Sequence, residues 1–97
     1  LFGIALDNYN VELIPGYVQD TLNVKTPVLL AHVDVDWHDP VKISIERIWP
    51  MLNDKGVMIF DDYYSYSGCK KAVDDYFGSV KGITRDGSCG SMAILKK

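Results

Sequence analysis

Two nearly apolar runs, each closed by aspartates and separated by a helical pattern, constrain this chain more than any other feature. The first, Val28-Leu29-Leu30-Ala31-His32-Val33, ends in Asp34-Val35-Asp36. The second, Gly56-Val57-Met58-Ile59-Phe60, ends in Asp61-Asp62. Runs this apolar read as central parallel strands. Between them, Asp39 suits a helix N-cap and Pro40 the first helical position. Val41, Ile45, Ile48, Trp49 and Leu52 recur at helical spacing and predict one buried stripe. Strand–helix–strand alternation calls for right-handed crossovers and a parallel sheet covered on both faces. Both aspartate clusters then fall at one carboxyl edge, where open α/β sheets bind ligands. Carboxylates gathered there repel one another unless a cation or shared protons intervene. The pattern therefore points to a divalent metal.

The remaining elements follow from local signals. Val11-Glu12-Leu13-Ile14 reads as a short strand stopped by Pro15-Gly16. Gly16 to Leu22 reads as a loop entering a short helical turn. Pro50 should loosen the last turn of the first long helix. Asn53-Asp54-Lys55-Gly56 ends that pattern, with Gly56 able to take positive φ. Ser67 is a candidate N-cap for a second helix, whose apolar face is Cys69, Ala72, Val73, Tyr76 and Phe77. Ile83-Thr84-Arg85 and Met92-Ala93-Ile94-Leu95 flank a turn-rich segment and predict an antiparallel hairpin.

At 97 residues with 47% apolar content, the chain makes a single small domain. The expected class is α/β, the C-terminal half of a doubly wound domain, spanning residues 1–97. A net charge of -3 with no basic stripe argues against nucleic acid. No apolar run reaches membrane-spanning length, and no signal peptide opens the chain. Leu1-Phe2-Gly3-Ile4 looks like the inside of a larger protein. Cys69 and Cys89 form no CxxC pair and read as reduced thiols of a cytoplasmic protein. No GxGxxG-type phosphate loop is present.

With these residues in place, Val11 to Phe77 resembles the carboxyl half of the macrocin O-methyltransferase family. Four segments carry the likeness, in order: Gly16-Tyr17-Val18-Gln19-Asp20-Thr21-Leu22, His32-Val33-Asp34-Val35-Asp36, Lys55-Gly56-Val57-Met58-Ile59-Phe60-Asp61-Asp62-Tyr63 and Gly68-Cys69-Lys70-Lys71-Ala72-Val73. The family comprises S-adenosylmethionine- and magnesium-dependent sugar O-methyltransferases. The resemblance implies the C-terminal half of a class I (Rossmann-like) methyltransferase fold, mostly parallel with an antiparallel C-terminal hairpin. It implies Asp34, Asp61 and Asp62 as metal ligands and Asp36 as the general base. By likeness to the wider group of metal-dependent O-methyltransferases, it implies Gly16, Val18, Gln19 and Asp20 beside the methyl donor. The partner would be a small hydroxyl acceptor such as a sugar, and a homo-oligomer is open to the chain. Trp37-His38-Asp39 stands where relatives usually carry Leu-Tyr-Glu, a departure that bears on the acceptor. The family's glycine-rich first half, which holds most of the cofactor, has no counterpart in these residues. The chain alone is therefore expected not to be a competent enzyme.

Such chemistry has reason to use these groups. A sugar hydroxyl is a poor nucleophile at neutral pH, and a hard cation lowers its pKa. Magnesium takes oxygen ligands in octahedral geometry at roughly 2.0–2.1 Å. Asp36, or alternatively His38, would take the proton. Two readings compete with this one. The chain could be a non-catalytic α/β module for binding or assembly. It could instead be a receiver-like phospho-acceptor domain, but the further Asp and the sheet-edge Lys that would require are missing. Residue by residue, Asp39 fits a helix cap and His32 a packed core residue. Trp37 fits either the acceptor pocket or a cover on the sheet edge. Tyr63, Tyr64 and Tyr66 fit a plain aromatic loop better than a gate over the pocket, and Lys70 and Lys71 fit a solvated helix face.

Overall fold

In the computed structural model, residues 11–88 and 90–97 are described; residues 1–10, with the Leu1-Phe2-Gly3-Ile4 start, and Cys89 lie outside them. The chain runs α1 (Val18–Thr21), β1 (Val28–Val33), α2 (His38–Ile48), a 3-10 turn (Trp49–Met51), β2 (Leu52–Phe60), α3 (Ser67–Phe77), β3 (Ile83–Asp86) and β4 (Met92–Lys96). The sheet is mixed, in the order β1-β2-β4-β3. β1 and β2 are parallel, as the crossover through α2 requires. β4 runs antiparallel to both β2 and β3, so the C-terminal hairpin forms as expected.

The core lies on one face of this sheet. Strand alternation sends Val33, Met58, Phe60, Met92 and Ile94 to that face. There they meet Val41, Ile45 and Trp49 from the α2 segment and Cys69, Ala72, Val73 and Phe77 from α3. Phe77 is the hub, its ring 4.9 Å from Trp49 and 6.2 Å from Phe60. Burying each large side chain contributes roughly 1.5–3 kcal/mol. Pro50 turns the end of α2 into the 3-10 segment, as its ring demands. Lys96 satisfies carbonyls at that end, donating to Trp49 O at 3.1 Å and Leu52 O at 2.9 Å. A cation there also suits the helix dipole.

Several local expectations are corrected. Val11–Ile14 is not a strand; it is exposed and makes no ladder among the described residues. Its apolar residues therefore have no neighbouring strand among the described residues to hold them extended. The sheet is covered by α2 and α3 on one face, while Leu30 on the other remains 60% exposed. β1 also has one sheet neighbour among the described residues, not the two of a central strand. Trp37 and Tyr66 occupy the N-cap positions of α2 and α3, with no side-chain cap bond at either. Asp39 and Ser67 consequently lie inside the first turns. Asp39 instead bonds the ring of His38.

The positive φ expected at Gly56 falls on Lys55, at 68°. β2 begins at Leu52 and bulges there: Val28 pairs with Leu52 but Leu30 with Val57. Gly56 serves the bulge through its missing side chain. A Cβ there would meet Asn53 O at 2.8 Å, Leu52 Cγ at 2.8 Å and Leu29 O at 3.1 Å. Among the described residues, no helix is long and apolar enough to cross a membrane. Cys69 is free and buried.

Candidate metal centre

The parallel register places the two aspartate clusters side by side. Val33 pairs with Phe60, and Asp61 N–H donates to Val33 O at 3.0 Å just beyond the ladder. From there the two segments diverge in conformation. After β1 the chain folds sharply, with Trp37 N–H donating to Val35 O at 2.6 Å. This three-residue turn is centred on Asp36, whose φ is 64°. γ-turns with positive φ are rare and strained. Backbone strain of this kind, roughly 1–3 kcal/mol, tends to cluster at functional sites. After β2 the chain makes a turn in which Asp62 O accepts from Ser65 N–H and Tyr66 N–H at 3.1 and 2.9 Å.

These two turns bring Asp34, Asp36 and Asp62 together, each with a carboxylate oxygen within 4.8 Å of the others. Asp62 is half-buried, and its Oδ2 is sealed from solvent with no hydrogen-bond partner among the described residues. Its pKa is pushed up to about 7, first because the protonated carboxyl hydrogen-bonds Asp36, then by burial, then by a hydrogen bond to Asp34, with repulsion from both carboxylates adding to the shift. An all-carboxylate oxygen set fits a hard dication such as magnesium or calcium far better than a soft metal. Cys69 lies beneath the site. Burial pushes its thiol up to about 11, with Asp62 and then Asp36 adding to the effect. It therefore packs as a neutral side chain rather than offering a thiolate.

The other expected site residues take different positions. Asp61 continues the strand alternation to the face opposite Phe60. Its Oδ1 lies 3.5 Å from His32 Nε2, and Ser91 Oγ donates to it at 3.5 Å. Asp61 is thus outside the three-carboxylate group, one residue from Asp62 but turned to the other side. His32 is not a packed core residue; its side chain is 53% exposed beside Asp61. His38 opens α2 with Nδ1 2.8 Å from Asp39 Oδ1. It lines a groove of about 220 Å³ between α2 and α3, with Lys42, Ala72, Asp75 and Tyr76. α3 approaches this point closely, because a Cβ on Gly68 would meet His38 N at 2.9 Å. Trp37 is exposed, its ring 6.5 Å from that of Tyr66.

Gly16, Val18, Gln19 and Asp20 lie on or beside α1. Arg47, near the C-terminal end of α2, holds that turn through the carbonyls of Val18, Gln19 and Leu22. Asp34 and Asp36 precede the N-terminal end of α2, about 14 Å along the helix from Arg47.

A set of residues beyond the sequence reading also stands out. Tyr63 is buried, and its hydroxyl donates to Asp74 Oδ1 at 2.8 Å. Asp74 also accepts from Lys70 at 2.8 Å and Arg85 at 2.7 Å. Burial alone would raise the Asp74 pKa; the bonds from Lys70, Arg85 and Tyr63 outweigh it and hold the carboxyl at about 2. The Lys70–Asp74 spacing of four residues on a helix was the one sequence signal available.

Residues 2–88 match the family described as Macrocin-O-methyltransferase (TylF). The 8-demethyl-8-(2,3-dimethoxy-alpha-L-rhamnosyl)-tetracenomycin-C 4'-O-methyltransferase of Streptomyces olivaceus is 34% identical over 70 residues, 70% of this chain and 26% of that protein. The demethyldecarbamoylnovobiocin O-methyltransferase of Streptomyces niveus is 32% identical over 68 residues, 68% of this chain and 26% of that protein. Among solved structures, the O-methyltransferase NovP superposes with a TM-score of 0.70 at 25% identity, over 86% of this chain and 36% of NovP. CalS11, a TDP-rhamnose 3'-O-methyltransferase of calicheamicin biosynthesis, gives 0.60 at 25% identity, over 73% of this chain and 32% of CalS11. The chain spans about a quarter of the length of the curated relatives it matches.

Proposed function

The chain belongs to the macrocin-O-methyltransferase family, and from that premise we propose that it forms the metal-holding part of an S-adenosylmethionine-dependent O-methyltransferase. Its acceptor is a hydroxyl of a sugar or similar small molecule. The relatives' names support this, since one acts on a rhamnosyl-bearing compound and a structural neighbour on TDP-rhamnose. The observation that carries the metal reading is the buried, partnerless Oδ2 of Asp62 within reach of Asp34 and Asp36.

Asp34 and Asp62 would hold the cation, magnesium being the natural choice for this oxygen set. Bound there, it would supply Lewis-acid activation of the acceptor hydroxyl. Asp36 shares the same cluster and would take the hydroxyl proton. His38 is the second choice, because its Nδ1 is engaged by Asp39 and its ring lines the inter-helix groove. Asp61 would have to rotate away from His32 to join the ligands. Trp37 and Tyr66 offer exposed aromatic surface beside the carboxylates, suited to the apolar face of a sugar. Gly16, Val18, Gln19 and Asp20 are assigned to the donor side, where Arg47 holds their turn in shape. The 97 residues alone are expected to bind metal but not to turn over.

Magnesium titration by calorimetry tests the reading. Wild-type chain should bind one equivalent, and Asp34→Asn and Asp62→Asn should abolish binding. Asp36→Asn separates its two roles: as base it leaves magnesium affinity nearly unchanged, and as ligand it does not. Absence of binding by the wild type at millimolar magnesium would reject the metal reading and favour a non-catalytic α/β module.

A further inference from the structure

The carboxylate of Asp62 has little of its own to hold it in direction. Its Oδ2 meets no donor among the described residues, and its nearest polar neighbours are the Asp36 and Asp34 carboxylates, which hold it only while a proton is shared and repel it once all are ionised, as a metal requires. Its orientation must therefore come from the backbone of the turn it occupies. One side of that turn is fixed by the bond from Asp61 N–H to Val33 O at 3.0 Å. The other side is held by the Ser65 and Tyr66 N–H groups on the Asp62 carbonyl and by the side chain of Tyr63, the very next residue, whose ring is only 6% exposed.

Tyr63 is anchored from two different elements. Asp74 of α3 accepts its hydroxyl proton at 2.8 Å. Arg85 of β3 donates to the same Asp74 oxygen at 2.7 Å and to the Tyr63 hydroxyl at 3.3 Å. Lys70 donates to the hydroxyl at 3.1 Å and to the other Asp74 oxygen at 2.8 Å, with its ammonium 4.8 Å from the ring centre. A helix, a strand and the loop thus converge on one phenol. A lone surface ion pair would contribute little, but a network with a buried member has a defined geometry.

We propose that Asp74 is a positioning residue for the metal site: through the Tyr63 hydroxyl it fixes the turn that directs the Asp62 carboxylate toward Asp34 and Asp36. This rests on the metal reading above. It assigns to Asp74, twelve residues along the chain and on another element, a role that sequence spacing did not suggest. Groups behind a metal ligand tune affinity by about 10–100-fold when removed.

The test is magnesium affinity of the 97-residue chain, read alongside its metal-free thermal unfolding. Tyr63→Phe and Asp74→Asn should each weaken magnesium binding about tenfold. Tyr63→Phe/Asp74→Asn should be no weaker than the worse single variant, since both act along one path. Lys71→Met, which breaks the neighbouring Lys71–Asp75 pair on the same helix, should bind as wild type. If Asp74→Asn is unfolded at the titration temperature, Arg85→Lys keeps the charge, gives up the planar fork, and should show a smaller loss in the same direction. Variants that melt lower yet bind magnesium like the wild type would overturn the proposal and leave the metal reading standing. A wild-type chain that binds no magnesium would overturn both.

Discussion

The guanidinium of Arg47 donates to the Leu22 carbonyl at 3.0 Å, across 25 positions of sequence. The same group takes the carbonyls of Val18 and Gln19 at 3.1 and 3.0 Å. α1 is a four-residue turn with no buried residue. A helix this short is unstable by itself, because its nucleus is costly and little propagation follows. Arg47 supplies what the turn lacks, partners for its last carbonyls. Arg47→Ala should therefore release residues 18–22 while leaving the core intact. Hydrogen exchange of the Thr21 and Leu22 amides should speed up markedly, with global stability lowered by about 1 kcal/mol. Arg47→Lys should rescue only part of the protection, since an ammonium cannot match a planar fork to several carbonyls at once.

The carboxylate cluster predicts an unusual pH dependence. The Asp62 pKa stands at about 7 in the folded chain against 3.8 for a free carboxyl. Between those values the folded state holds a proton that the unfolded state releases. Its contribution to stability is thus fully present below about pH 4 and is lost as pH rises toward 7. Thermal melts from pH 4 to 7.5 should show this decline, and Asp62→Asn should flatten it. Magnesium should restore stability at pH 7.5 and do little at pH 4.5, where the proton occupies its place. A melt that is insensitive to magnesium at both pH values contradicts the site.

Asp74 predicts the opposite sign. Its folded pKa of about 2 lies below the free value of 3.8. Its contribution is present above about pH 4 and disappears as pH falls through 2. Acid titration of wild type against Asp74→Asn should show the two converging below pH 2. The side chain is 37% exposed, so solvent screening keeps the effect modest.

Gly56→Ala should destabilise the fold through the β1–β2 bulge. The added methyl meets two backbone oxygens, of Asn53 and Leu29, that cannot swing aside as a side chain would. Overpacking of this kind costs about 1–3 kcal/mol, visible as a lower urea midpoint at unchanged slope.

What was legible in the sequence divides along physical lines. β1, α2, β2, α3 and the hairpin were readable because their apolar periods and breakers are local. Pro50, for example, marked the end of α2 by its own ring geometry. The positive φ was misplaced by one residue, since Lys55 takes the left-handed conformation and Gly56 the close contact at a bulge that no local signal announced. Val11–Ile14 carried strand-like residues without a strand to pair with, and pairing is not a local property. The site was legible as a cluster but not in its detail. Which of Asp61 and Asp62 faces Asp34 depends on the pleat at Phe60 and the turn after it, and the two residues diverge there. The Tyr63–Asp74–Arg85 network joins positions 11 and 22 residues from the tyrosine, and no spacing rule links them.

Phe77 offers the sharpest test of how the core is shared between the helices and the sheet. It is 2% exposed at the end of α3, and its ring meets Trp49 edge-on at 4.9 Å, Tyr76 at 5.0 Å and Phe60 at 6.2 Å. Removing it takes away a side chain that touches aromatic rings both beyond the end of α2 and on β2. Phe77→Ala should lose about 3–5 kcal/mol, the transfer energy of the ring plus the cavity left behind. Small domains have only about 5–15 kcal/mol to lose, so this variant should be near its unfolding threshold at room temperature. Phe77→Leu keeps most of the volume but gives up the edge-on contacts, and should lose less. If urea denaturation ranks leucine as poorly as alanine, the ring geometry matters more than the filled volume. If alanine is tolerated with little loss, α3 is not packed through Phe77 and the arrangement of the core described above is wrong.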